Sequence, residues 1–298
     1  MSVGDEVFRR LQSAARAAGA KAGTGAPTQE YLIRHTLESF LDRLTRTTHA
    51  EDFVLKGGIL LAAYGVRRPT KDADANAVGA DVTADHLIAV VHDIAAVETD
   101  DGVVFDLDSI SVQEIREHAD YPGFRVRVGV SIGPWKGTAA WDVSTGDPIV
   151  PAPRRVRIDR VLGDPIVLLG YAPETTITEK GVTILERGIT STRWRDYVDI
   201  VQLTRQGIDT DELLRSAQAV ARYRGVTLGP SHRTWSATGR SVRPSGQPSG
   251  ARSGWRQSAK QTSTSKWRWW PPAWIPCSTT VTPCLARSAR PRPEALEA

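Results

Sequence analysis

The chain of 298 residues carries 38 Lys and Arg against 34 Asp and Glu, a net charge of +4, and its 40% apolar residues suffice for a packed core and, by length, about two domains. Its longest apolar run, Gly57 to Val66, is far short of the roughly 20 residues a spanning helix needs, and the acidic start Met1-Ser2-Val3-Gly4-Asp5-Glu6 does not read as a secretory leader. The two cysteines, Cys277 and Cys284, come late and without partners, which excludes a disulfide framework and leaves a soluble cytoplasmic protein, with no membrane association, as the expectation.

In chain order, the spacing of Val7 and Leu11 predicts a helix from Asp5 to Ala18, followed by a linker from Gly19 to Pro27. Thr28 is the expected N-cap of a helix to about Arg46, carried by Ile33, Leu37, Phe40, Leu41 and Leu44 at helical spacing. Phe53 to Leu55 reads as a short strand. Gly57-Gly58 then opens a helix of two turns to Tyr64, which Gly65 stops. Thr70 to Ala75 reads as a second short strand and Asp85 to Ala95 as a helix. From Gly102 to Thr145 the period becomes two: Phe124, Val126, Val128, Val130 and Ile132 share one face and Arg125 and Arg127 the other, and a loop at Gly133 leads into a partner strand, Thr138 to Thr145. After the Pro148 to Pro153 connection and a short strand near Ile166, helical patterns cover about Glu174 to Arg187, Thr192 to Gln206 and Thr210 to Arg222.

Beyond Gly229 neither period survives. From Leu213 to Pro293 no acid occurs, and six of the nine Trp lie in that stretch. Three readings stand side by side: a disordered basic tail, a nucleic-acid arm built on Lys266-Trp267-Arg268-Trp269-Trp270, or a stretch translated out of frame. The organisation expected is an N-terminal helix and linker (1–27), a mixed α/β domain (28–165), a helical domain (166–228) and an irregular basic tail (229–298).

Chemistry concentrates in one region. With 34 acids in 298 residues, chance gives about four acid-x-acid pairs, and four occur, so Asp72/Asp74 is unremarkable until its surroundings are read. Upstream, a strand ends in Gly57-Gly58 at a helix start, where a backbone can approach a triphosphate closely and N–H groups are unpaired. If Asp72 and Asp74 lie in a strand, both carboxylates share a face and suit Mg²⁺. Asp142, mid-strand among apolar neighbours, either completes a three-carboxylate, two-metal site or faces water at an edge. Lys180 borders the inner stripe of its helix and either meets a phosphate or pairs with a nearby Glu. Asp196 and Asp199, close to Arg193 and Arg195, have the spacing of a solvated face. Arg154, Arg155, Arg157 and Arg160 form a basic run that either touches a nucleic-acid backbone or is a solvated connector.

Leu55-Lys56-Gly57-Gly58, Arg68-Pro69-Thr70-Lys71-Asp72-Ala73-Asp74, Asp142-Val143-Ser144, Glu179-Lys180 and Arg195-Asp196 followed by Asp199 resemble, in this order, the AbiEii/AbiGii nucleotidyltransferase toxins of type IV toxin–antitoxin systems, including the MenT group. The resemblance runs from about Thr28 to Leu228. It implies an α+β fold, with a DNA polymerase beta-like mixed sheet and flanking helices, then a helical C-terminal domain. It also implies Mg²⁺ on Asp72, Asp74 and Asp142, a nucleotide held by Lys56, Gly57, Gly58 and Lys180, and catalytic roles for Asp72, Asp74, Lys180, Asp196 and Asp199. The implied activity is transfer of nucleotides from an NTP to the acceptor end of tRNA, checked by a cognate antitoxin. The other readings are a small-molecule, antibiotic-type nucleotidyltransferase and a non-catalytic nucleic-acid-binding protein. Ala73 departs from the pattern, standing where a branched apolar residue is usual.

Overall fold

Helix α1, Val3–Ala22, runs further at both ends than its periodicity suggests, because Ser2 and Asp5 close a capping box and Gly23 ends it in the left-handed conformation. Thr28 is the first residue of α2 (Thr28–Leu44) and not its cap; Pro27 takes that place without a side-chain bond. The computed structural model describes residues 2–78, 82–115, 123–188 and 193–229. The expected irregular tail therefore lies, apart from Gly229, outside the described residues, which fall within one compact unit, Met1–Thr238.

Strand β1 (Phe53–Lys56) leads directly into α3 (Gly57–Leu60), a single turn continued by a 3-10 turn, Leu61–Tyr64, and closed by left-handed Gly65. Strand β2 is Ala73–Ala77, so it begins one residue after Asp72 and only Asp74 of the acid pair is a strand residue. Helix α4 (Ala84–Ala96) is capped by Thr83, and β3 (Val104–Ile115), β4 (Gly123–Ile132) and β5 (Trp135–Ser144) follow. Then come β6 (Arg154–Ile158) and β7 (Ile166–Gly170), and three helices, α5 (Pro173–Arg187), α6 (Trp194–Thr204) and α7 (Thr210–Tyr223). Pro173 opens α5, where a missing N–H costs nothing, and Asp209 caps α7 by accepting from the Asp211 and Glu212 amides.

The seven strands form one mixed sheet in the order β3-β4-β5-β2-β1-β7-β6, parallel at β2–β5 and β1–β7 and antiparallel elsewhere. The architecture is the expected α+β one, with β7 extending the sheet past residue 165 to Gly170. One face is apolar, as period two in β4 requires: Val126, Val128, Val130 and Ile132 are buried with Trp141 and Val143 of β5. Helices α1, α2 and α4 cover that face, and the Trp141 ring lies 5.4 Å from Phe40 and 4.6 Å from Phe53. Ala73, the departure noted in the sequence, is fully buried directly opposite Trp141, a small residue beside a large ring. The opposite face carries the charges.

Candidate active site

Alternation puts the polar residues of four neighbouring strands on the second face, and the register aligns them. Lys56 of β1 is opposite Asp74 of β2, Asp74 is opposite Asp142 of β5, and Asp142 is opposite Arg125 of β4. Two aspartates thus lie side by side in the interior of the sheet, with a cation at each end of the row. Asp142 is not at an edge. Both its oxygens accept from Arg125, Oδ1 from Nε at 2.7 Å and Oδ2 from Nη2. Lys56 turns instead to Glu179 of α5, 2.6 Å away, and lies 3.8 Å from Asp147. Asp74 has no hydrogen-bond or ion-pair partner among the described residues. Burial and the neighbouring Asp72 carboxylate push it up to about 6, with Lys56 opposing and Asp142 adding to the rise.

The turn before α3 makes room for this carboxylate. Gly57 sits at a φ of +69°, and a Cβ there would stand 1.9 Å from Asp74 Oδ2. A Cβ on Gly58 would stand 2.8 Å from Thr70 Oγ1 and 3.3 Å from an Arg68 nitrogen. Thr70 Oγ1 faces the backbone carbonyl of Asp72 at 3.1 Å and Oδ1 of its carboxylate at 3.2 Å, placing Asp72 beside the row.

Across from the sheet, α5 and α6 supply the second wall. Lys180 lies 2.9 Å from both Asp196 Oδ1 and Asp199 Oδ2, so its partners are aspartates of α6 and not a nearby Glu. Both aspartates are buried, the reverse of the solvated face that their spacing suggests. Asp196 also accepts from Arg193, and Asp199 from Arg68 at 3.2 Å. Burial raises the Asp196 carboxyl, but Arg193 and Lys180 outweigh it and hold it below the ordinary range; Lys56 and Arg224 do the same for Glu179. Between the walls is a cleft of about 400 Å³ whose lining includes Lys56, Gly57, Gly58, Asp74, Lys180 and Asp196. Six cationic side chains line it, the others being Arg68, Arg187, Arg193 and Arg224, against four acids, Asp74, Glu179, Glu186 and Asp196, so the lining carries an excess of positive charge that suits a polyanion.

The structure thus brings Lys56, Gly57, Gly58, Asp74, Lys180 and Asp196 to one cleft, with Asp199 behind Lys180 and Asp142 next along the row. Sequence reasoning missed Arg125, Arg68, Asp147 and Arg224. Arg224 reaches both oxygens of Asp147 at 3.0 Å, joining the end of α7 to the sheet. Arg68 had a signal in its motif; a lone Arg after α7 had none. Each arginine of the basic run has an acidic partner, Arg154 with Glu174, Arg155 with Glu51, Arg157 with Asp159 and Arg160 with Asp42, and the first three stay half-exposed or more.

Among the described residues no group of three or more His, Cys, Asp or Glu converges closely enough to form a ready metal cage. The donor chemistry nevertheless fits a hard divalent cation. An unpartnered, half-buried carboxylate has two others near enough to raise its proton affinity, and a cation would relieve that repulsion.

The class of protein is shown by a family profile that covers most of the chain, and it is a nucleotidyltransferase. The profile of the nucleotidyl transferase AbiEii toxin of type IV toxin–antitoxin systems matches residues 39–270, and the chain belongs to that family. Among solved structures, JHP933 from Helicobacter pylori is similar with a TM-score of 0.42 and 16% identity, over 63% of this chain and 72% of that one. An antigenic nucleotidyltransferase-like protein from Paracoccidioides brasiliensis is similar with a TM-score of 0.37 and 15% identity, over 64% of this chain and 88% of that one. No curated protein matches. No described helix is long and apolar enough to cross a membrane.

Proposed function

We propose that this toxin-family nucleotidyltransferase moves a nucleotide from an NTP to the 3′ acceptor end of tRNA, so blocking translation, and that a cognate antitoxin restrains it. The observation that carries the donor side is the facing of Gly57-Gly58 and Asp74 on one wall by Lys180 on the other, across a cleft lined by six cations. The acceptor and the antitoxin rest on family membership.

In this reading the triphosphate lies along the turn, where the absence of side chains on Gly57 and Gly58 allows close approach. Lys180, held by Asp196 and Asp199, points its charge at the phosphates, and Lys56 and Arg68 add to the field. Asp196 and Asp199 act by holding Lys180, which makes them positioning residues. Mg²⁺ bound by Asp72, Asp74 and Asp142 would acidify the attacking 3′ hydroxyl and neutralise charge on the pyrophosphate. The new bond joins the 3′ oxygen to the α-phosphorus, the bond to the α–β bridging oxygen breaks, pyrophosphate leaves, and the hydroxyl proton passes to solvent.

The test is transfer from each of four α-labelled NTPs to total tRNA, beside Asp74→Asn. Label on tRNA that disappears in the variant supports the reading and names the nucleotide. Label on a small molecule but not on RNA would make the protein a small-molecule transferase. Binding of RNA without transfer, unchanged in Asp74→Asn, would make it a non-catalytic binder.

A further inference from the structure

The row Lys56–Asp74–Asp142–Arg125 is asymmetric, and the asymmetry has a chemical consequence. Each member is the register partner of the next, so all four side chains emerge on one face of the sheet. The two cations behave differently. Lys56 leaves the row for Glu179, whereas Arg125 takes both oxygens of Asp142. Asp74 is thereby left without a partner while its neighbour is fully engaged.

A cross-strand Arg–Asp pair is by itself a common stabilising contact. This one differs in what the acid stands next to. Asp142 is an interior-strand carboxylate abreast of Asp74, and Arg125 is one-third exposed in its side chain while Asp142 is 15% exposed. The guanidinium therefore sits on the open flank of the carboxylate row, where it can swing away without opening the core.

We propose that Arg125 is an electrostatic latch on the metal site: its guanidinium occupies Asp142 and competes with a divalent cation for that carboxylate. This rests on the reading of Asp72, Asp74 and Asp142 as cation ligands. A bidentate guanidinium uses one lone-pair direction on each oxygen and places a positive charge beside any ion that approaches. In the idle state Arg125 then offsets the charge of one of the three carboxylates. A cation that arrives with a triphosphate brings enough negative charge to draw Arg125 off Asp142. Arg125 is thus a positioning residue acting through Asp142, and it makes cation binding weak until nucleotide is present.

The probe is Mn²⁺, titrated into nucleotide-free full-length protein and followed by the electron paramagnetic resonance signal of the unbound ion. Removing the competing charge in Arg125→Gln should tighten Mn²⁺ about tenfold, and Arg125→Lys, which cannot make the bidentate contact, about threefold. Asp142→Asn should weaken it. Circular dichroism melts establish that each variant is folded, and the lysine variant carries the test if the glutamine variant is not. Wild-type binding with both Arg125 variants unchanged or weaker would overturn the latch alone, leaving a plain cross-strand pair. Wild-type binding no better than that of Asp74→Asn would overturn the metal reading and the latch together.

Discussion

Gly57 and Asp74 share one small volume: a Cβ on the glycine would fall 1.9 Å from the carboxylate oxygen Oδ2. The turn residue follows directly on β1 and the acid lies in β2, its antiparallel neighbour, 17 positions on in sequence. Gly57→Ala must therefore either push Asp74 out of the row or unwind the turn. The left-handed φ of +69° adds about 1–2 kcal/mol of backbone strain. The expected outcome is a lower melting temperature together with a loss of transfer of about a hundredfold, read on the same preparation.

Stability should respond to Asp74 with a sign opposite to that of activity. A carboxyl whose proton affinity is raised by folding favours the folded state only while protonated. Its contribution is full below the ordinary 3.8 and is lost as the pH rises through about 6. In EDTA, urea unfolding of the wild type should lose about 3 kcal/mol over that window, and Asp74→Asn should flatten the loss and be more stable at pH 7. An identical pH profile in the two proteins would contradict the raised proton affinity of Asp74 beside Asp72 and Asp142.

Lys180 is the common partner of Asp196 and Asp199. Lys180→Met leaves two buried carboxylates with only Arg193 and Arg68, and should cost about 2 kcal/mol in urea unfolding. Asp199→Asn, which keeps the shape and removes one charge, should leave the fold intact but raise KM for the NTP more than it lowers kcat, because Lys180 loses half of its anchor.

Ala73 faces Trp141 inside the core. Ala73→Val adds two methyl groups against a ring already packed on Phe40 and Phe53, and should destabilise by about 1–3 kcal/mol. Combining it with Trp141→Phe should recover part of that loss in a double-mutant cycle, since the two side chains compete for one space.

The local signals were strong where the physics is local. Apolar spacing marks α2, period two marks β4, Pro173 opens α5, and Gly57-Gly58 reads as a turn before a helix because these depend on neighbours a few residues away. The limits of that information show at Asp72, which spacing places in a strand and the structure places one residue before it, and at α3, shorter than its apolar run suggests. Charged residues were harder still. Asp196 and Asp199 at helical spacing look the same whether they face water or a buried lysine, because spacing does not say which side of α6 packs on α5.

By itself, then, the sequence determined most of the elements, though not β6, which it read as a basic run, and the candidacy of Gly57-Gly58, Asp72, Asp74 and Lys180, all consequences of short-range periodicity and residue chemistry. Only the tertiary structure decided that Asp142 lies abreast of Asp74, that Arg125 occupies it, and that Arg224 and Asp147 join α7 to the sheet. Those facts depend on strand register and helix rotation, which are set by how distant segments share one core, and no local pattern encodes them.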